Sequence, residues 1–106
     1  ETIVFIELLR RNKPLERDVY YFKSADGYEA DFVVCKGDKV EEVYQVSYDL
    51  TNEKTRAREI RGLLTASKHT GCDNLFLITD VERNEFEQES RLIKIIPAYE
   101  WLIHKN

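Results

Sequence analysis

The sequence predicts an α/β (α+β) domain in which a mixed sheet of four to five strands is flanked by helices. Three observations predict it. Three strand-like stretches follow one another between positions 18 and 48, separated by short turn signals. An amphipathic helical stretch with a cap at each end follows at about 53–70. A nearly all-apolar run at 75–79 then has the character of a buried parallel strand, reached through that helix as a crossover.

Each element has its own local reasons. Residues 1–12, ETIVFIELLRRN, predict a helix with Phe5, Ile6, Leu8 and Leu9 on one side and Glu7, Arg10 and Arg11 on the other. Asn12 and Pro14 end it, because proline cannot continue the hydrogen-bond ladder. Glu7 is spaced to pair with Arg11, four residues on. Residues 18–24, DVYYFKS, carry β-branched and aromatic strand content, and Ala25-Asp26-Gly27 supplies a turn.

In the second strand, 28–35, alternation puts Tyr28, Ala30, Phe32 and Val34 on one face and Glu29, Asp31, Val33 and Cys35 on the other. A carboxylate at Asp31 must then be paired, hydrogen-bonded or bound to a cation; an aspartate reaching solvent or an arginine meets the same demand. Gly37-Asp38 makes the next turn. Over 39–48, Val40, Glu42, Tyr44, Val46 and Tyr48 alternate against Glu41, Val43, Gln45 and Ser47. Gln45 and Ser47 share a side, and a suitable hairpin register makes it the Asp31 side as well.

The long helix has Thr51 or Asn52 as N-cap, Glu53 at its positive start and Gly71 just past its end. Its buried side is read as Ala57, Ile60, Leu63, Leu64 and Ser67. Beside it Lys54, Arg58, Arg61 and Lys68 form a basic stripe, which is either a solvated face or a phosphate-contacting one. The polar stretch 80–89 reads as a turn and one exposed strand, and 92–96 as an apolar strand. Pro97 opens a last helix over 98–104, anchored by Tyr99, Trp101, Leu102 and Ile103.

The 106 residues suit a single domain. With 42% hydrophobic and 34% charged residues, the composition excludes a disordered chain. The net charge of −4 opposes strong non-specific DNA binding, although a local basic stripe can act within an acidic whole. No apolar run approaches the ~20 residues that span a bilayer, and no signal peptide opens the sequence. A cytoplasmic protein without a membrane partner is expected. Cys35 and Cys72 lack metal-ligand spacing and read as reduced structural thiols. The first residue is Glu1, not Met, with a helical pattern already under way, which reads as a piece of a longer polypeptide.

Much chemistry has no residues to support it. There is no phosphate-binding glycine loop, no Cys/His zinc spacing and no Ser/His/Asp trio. His69 and His104 fall near helix ends, where they meet carbonyls or solvent. Divalent metal held by carboxylates is the remaining catalytic route.

ETIVFIELLRR, VYYFKSADGYEADFVV, VYQVSYDL and TRAREIRGLL together resemble the C-terminal domain of unknown function of archaeal and bacterial AAA-type ATPases, a likeness running to IKIIPAYEWL. That domain is similar to the PD-(D/E)xK, restriction-endonuclease-like superfamily. The resemblance implies an αβββαβ core and places the superfamily's helix acid on Glu7, its central-strand Asp on Asp31 and its Glu/Gln-x-Lys on Gln45-Val46-Ser47. In active relatives the carboxylates hold Mg²⁺ and the lysine assists the attacking water. Here Glu7, Asp31 and Gln45 are the candidate metal ligands, and Ser47 stands at the lysine position without its charge. Lys54 or Arg58 would have to replace it. A degenerate nuclease-like module is therefore expected, acting in DNA binding or protein interaction and joined in cis to an upstream ATPase module that carries the ATP and Mg²⁺ sites. The alternatives are an active Mg²⁺-dependent endonuclease and a structural or oligomerising domain.

Overall fold

Caps and hairpin turns set the element boundaries. The computed structural model describes residues 2–23, 27 and 29–104. Helix α1 (Thr2–Asn12) ends where the Asn12 side chain turns back and donates to the Leu8 carbonyl at 2.8 Å. Pro14 then sits in a 3-10 turn, Lys13–Leu15, closed by Glu16 in the left-handed region at φ 59°. Strands β1 (Asp18–Lys23), β2 (Glu29–Lys36) and β3 (Lys39–Val46) form an antiparallel meander. Gly37, at φ 60°, gives the tight turn between β2 and β3 the backbone it needs.

Helix α2 (Glu53–Thr70) begins at Asn52, whose Oδ1 accepts from the Lys54 and Thr55 amides at 2.9 and 3.1 Å. It ends at Gly71, at φ 75°, whose N–H reaches the Ser67 carbonyl. Strand β4 (Leu75–Thr79) follows, then β5 (Asn84–Gln88), β6 (Arg91–Pro97) and helix α3 (Ala98–Ile103).

The six strands are ordered β1-β2-β3-β4-β6-β5. The β3, β4 and β6 strands run parallel and the two edges antiparallel, so the sheet is mixed, as the sequence predicts. The αβββαβ order is present. The sixth strand comes from the polar stretch, where β5 pairs with β6 along an edge and leaves most of its side chains exposed.

The sheet has two cores. On one face α2 buries Ile60, Leu63, Leu64 and Ala66 against Val33, Val43, Leu75, Leu77, Ile93 and Ile95. On the other, Val4 and Leu8 of α1 and Trp101 of α3 cover Phe32, Val34, Tyr44 and Ile78. Each fully buried aliphatic side chain contributes roughly 1.5–3 kcal/mol relative to exposure.

Two irregularities revise the strict alternation read from the sequence. A bulge moves the β1–β2 register between Tyr20 and Phe22 and sends Ala30 to the α2 face with Val33, away from Phe32. A second lies between Val34 and Cys35 and sends Val40 to that face too, opposite Tyr44. The helix stripes also shift. In α1 the buried line is Val4, Leu8 and Asn12, while Ile6 is 59% exposed. In α2 burial begins at Ile60, and Ala57 is exposed. In α3 Trp101 is the anchor, with Tyr99 and Ile103 outward. The predicted Ala25-Asp26 turn and Tyr28 lie outside the described residues.

Candidate functional site

The last β2–β3 pair at this end of the ladder is Phe32 with Tyr44, and Asp31 and Gln45 come next. There the side chains take over the ladder. The Asp31 amide donates to Gln45 Oε1 at 2.7 Å, and Asp31 Oδ2 accepts from the Val46 amide at 2.7 Å. Gln45 Nε2 donates to the Glu59 carbonyl of α2 at 3.3 Å. Gln45 is 2% exposed, so both ends of its amide need such partners. A half-buried carboxylate facing a backbone N–H is stabilised by a charge-assisted bond that offsets its desolvation. Ser47 lies just past β3, with its amide bonded to the Ile78 carbonyl at 2.9 Å.

Glu7 is elsewhere. Its carboxylate accepts from Arg10 Nε and Nη2 at 2.9 and 2.6 Å and from Arg11 Nε at 2.6 Å. The Arg10 bonds, opposed in part by burial and helped by Arg11, hold its pKa down to about 2. Arg11 then reaches the Trp101 and His104 carbonyls, each at 2.7 Å, and stacks 4.3 Å over the Trp101 ring. This clasp of α1 to α3 lies on the face opposite α2. The sequence-nominated ligands thus divide: Asp31 and Gln45 meet, and Glu7 lies across the sheet. Among the described residues no group of three His, Cys, Asp or Glu is arranged to hold a metal ion.

The basic stripe divides as well. Lys54 and Arg58 are exposed, and Arg58 lies 3.8 Å from Glu59. Arg61 and Lys68 both converge on Glu89 in the β5–β6 turn, at 2.5 and 2.8 Å. Those two cations, Arg61 first, hold the Glu89 carboxyl at about 2. Arg56, which the stripe omitted, grips Glu82 with bonds of 2.9 and 2.7 Å. Around the first turns of α2, Arg56, Arg58, Arg61 and Gln88 line a cavity of about 640 Å³. Arg56 was legible as a helix residue, two positions from Lys54 and Arg58 and so on the other side of the helix from the stripe; Gln88 and Glu89 carry no local signal, since they arrive through the fold.

A further group lies on the α1/α3 face. Cavities of about 310 and 380 Å³ share Arg11, Glu42 and Tyr44. The Glu42 carboxylate accepts the Tyr44 hydroxyl at 3.2 Å, and burial raises its pKa. Burial also raises the Tyr44 phenol and the Cys35 and Cys72 thiols, which are free. No helix among the described residues is long and apolar enough to cross a membrane.

The family model described as "Domain of unknown function (DUF4143)" matches residues 1–101. No curated protein matches the sequence significantly. The fold is similar to a chain in a solved structure described as the refined half-complex from a tetradecameric assembly of Thermococcus gammatolerans McrB AAA+ hexamers with bound McrC. The TM-score is 0.65 at 18% identity, over 89% of this chain and 26% of that one. The present chain therefore spans about a quarter of that neighbour.

Proposed function

We propose that this chain, which belongs to the DUF4143 family of domains of unknown function, is a catalytically silent PD-(D/E)xK-like module that binds nucleic acid along α2 in the service of an ATPase. The observation that carries this reading is the reciprocal closure of β2 and β3 by Asp31 and Gln45. A metal ion would have to compete with the Val46 amide for the Asp31 carboxylate. Gln45 already accepts the Asp31 amide through the oxygen it would offer a metal. Glu7 is committed to the α1–α3 clasp, and Ser47 brings no cation. The residues do not fit a Mg²⁺ site, and no reaction step is assigned to them.

Nucleic-acid contact is supported by exposed Lys54 and Arg58 next to an open cavity that Arg56 and Arg61 also line. An ATPase module in cis is supported by the fold's likeness to a chain from an assembly of AAA+ hexamers and by the sequence resemblance. In this reading ATP and Mg²⁺ belong to that module.

Fluorescence anisotropy against duplex and single-stranded DNA over a salt series tests the interface. The Lys54→Ala/Arg58→Ala variant is expected to weaken binding and flatten the salt dependence by about 0.9 per lost duplex contact. An unchanged slope contradicts the proposed contacts. Plasmid incubated with Mg²⁺ or Mn²⁺ is expected to stay intact; cleavage abolished by Asp31→Ala would establish the active endonuclease instead.

A further inference from the structure

The β5–β6 turn is built in an unusual way. Gln88 pairs with Arg91, so Glu89 and Ser90 are the two central residues of a tight hairpin. Both have positive φ, 52° and 64°. Such turns favour Asn-Gly or Gly-Gly, because a Cβ is strained in the left-handed region. Neither residue here is glycine. The strained form is held by Arg91, which donates to the Glu89 carbonyl at 3.0 Å and to the buried Ser67 hydroxyl of α2 at 2.6 Å. The consequence is that the Glu89 carboxylate is presented to α2, where it meets Arg61 and Lys68 together.

An anionic oxygen pair lodged between an arginine fork and an ammonium is also the arrangement in which a protein holds a backbone phosphate. Glu89 and Arg61 are both only about one-third exposed, while the cavity beside Arg61 is open to a ligand. Non-glycine residues held in the left-handed region by specific bonds cluster at ligand clamps and switch positions.

Resting on the nucleic-acid reading above, we infer that Glu89 is a resident stand-in for a phosphate of the bound strand. A phosphodiester backbone crossing α2 displaces it and takes over Arg61 and Lys68, continuing from the contacts made by Lys54 and Arg58. The β5–β6 hairpin is then part of the binding site, and its carboxylate sets the affinity. A single small anion competes against the high effective concentration of the internal carboxylate, whereas a polyanion that spans the stripe gains the further contacts that outweigh it.

The test compares wild type, Glu89→Gln and Glu87→Gln by anisotropy on one labelled duplex across a salt series. Glu87 lies exposed on β5, and its substitution makes the same change in net charge without touching the pair. Glu89→Gln is expected to bind about tenfold more tightly than wild type at low salt, because the strand no longer has to displace a carboxylate, while the number of phosphate contacts and so the slope stay close to wild type. Adding Lys68→Ala to Glu89→Gln is expected to remove about half of that increment. Glu87→Gln, whose charge lies off the pair, is expected to stay near the wild-type affinity. Should Glu89→Gln loosen the hairpin, as seen by circular dichroism, Ser90→Gly in the same chain relieves the strain and restores a foldable comparison. If wild type binds and the two glutamine variants have equal affinities, the stand-in is overturned while the nucleic-acid reading stands. If neither wild type nor Glu89→Gln binds duplex or single strands, both fall.

Discussion

The two faces of the sheet use charge differently. On the α1/α3 face Arg11, whose side chain is 11% exposed, joins Glu7 to two carbonyls near the end of α3 and packs on Trp101. That cation is a strut. On the α2 face the interior is aliphatic, and the ions stand on the outer surface in pairs such as Arg61–Glu89 and Arg56–Glu82. A built-in charge is expensive to remove because its partners are left desolvated. Solvated pairs contribute little to folding. Under the proposed function, the difference gives stability to one face and recognition to the other.

The most severe way to probe the contrast is Arg11→Ala. It is expected to destabilise the fold by about 2–4 kcal/mol in urea titration, since Glu7 and the α3 carbonyls lose a shared donor. DNA affinity measured on the remaining folded fraction should be unchanged. Next is the strand closure. Asp31→Ala should cost about 1–3 kcal/mol by leaving the Val46 amide without its acceptor, and Asp31→Asn less, because an amide oxygen can still accept.

Acid separates two carboxylates of the α1/α3 face by sign. The Glu7 pKa is depressed from 4.5 to about 2, so its stabilisation is complete above the unfolded value and is lost as pH falls from 4.5 through about 2. Glu7→Gln should flatten the stability profile in that window. The Glu42 pKa is raised by burial, so its effect is opposite: the native state favours the protonated acid and loses stability as pH rises above 4.5. Glu42→Gln should therefore raise the melting temperature at neutral pH and make no difference in acid. The smallest expected effect on folding is on the recognition side, where Lys54→Ala and Arg58→Ala should stay within about 0.5 kcal/mol of wild type while weakening DNA binding. A large loss of stability there would erase the distinction between the faces.

Much of the fold was legible because local signals agreed. The 53–70 helix was bounded by Asn52 and Gly71, both of which act as caps, and the apolar run at 75–79 became the central parallel strand. Strand faces were less legible because alternation fails at bulges. Ala30 and Val40 switched sides for register changes that no short pattern encodes. Helix faces slipped where tertiary coverage ended, as at Ala57. Of the candidate site, the meeting of Asp31 and Gln45 was foreshadowed by their strands. Its form was not: the carboxylate turns along the sheet to a backbone amide. Glu7's separation depends on which face α1 covers, and the Glu89 contacts join residues 21 to 28 positions apart, beyond the reach of periodicity.

The central claim is that Asp31 and Gln45 close a strand ladder and do not hold a metal. A Mg²⁺ titration of the ¹⁵N-labelled chain, following the Asp31 and Val46 amides and the Gln45 side-chain amide, tests it most directly. The expected result is that millimolar Mg²⁺ leaves all three signals in place and the Val46 amide stays protected from exchange. Saturable movement of the three signals together, lost in Asp31→Asn, would contradict it.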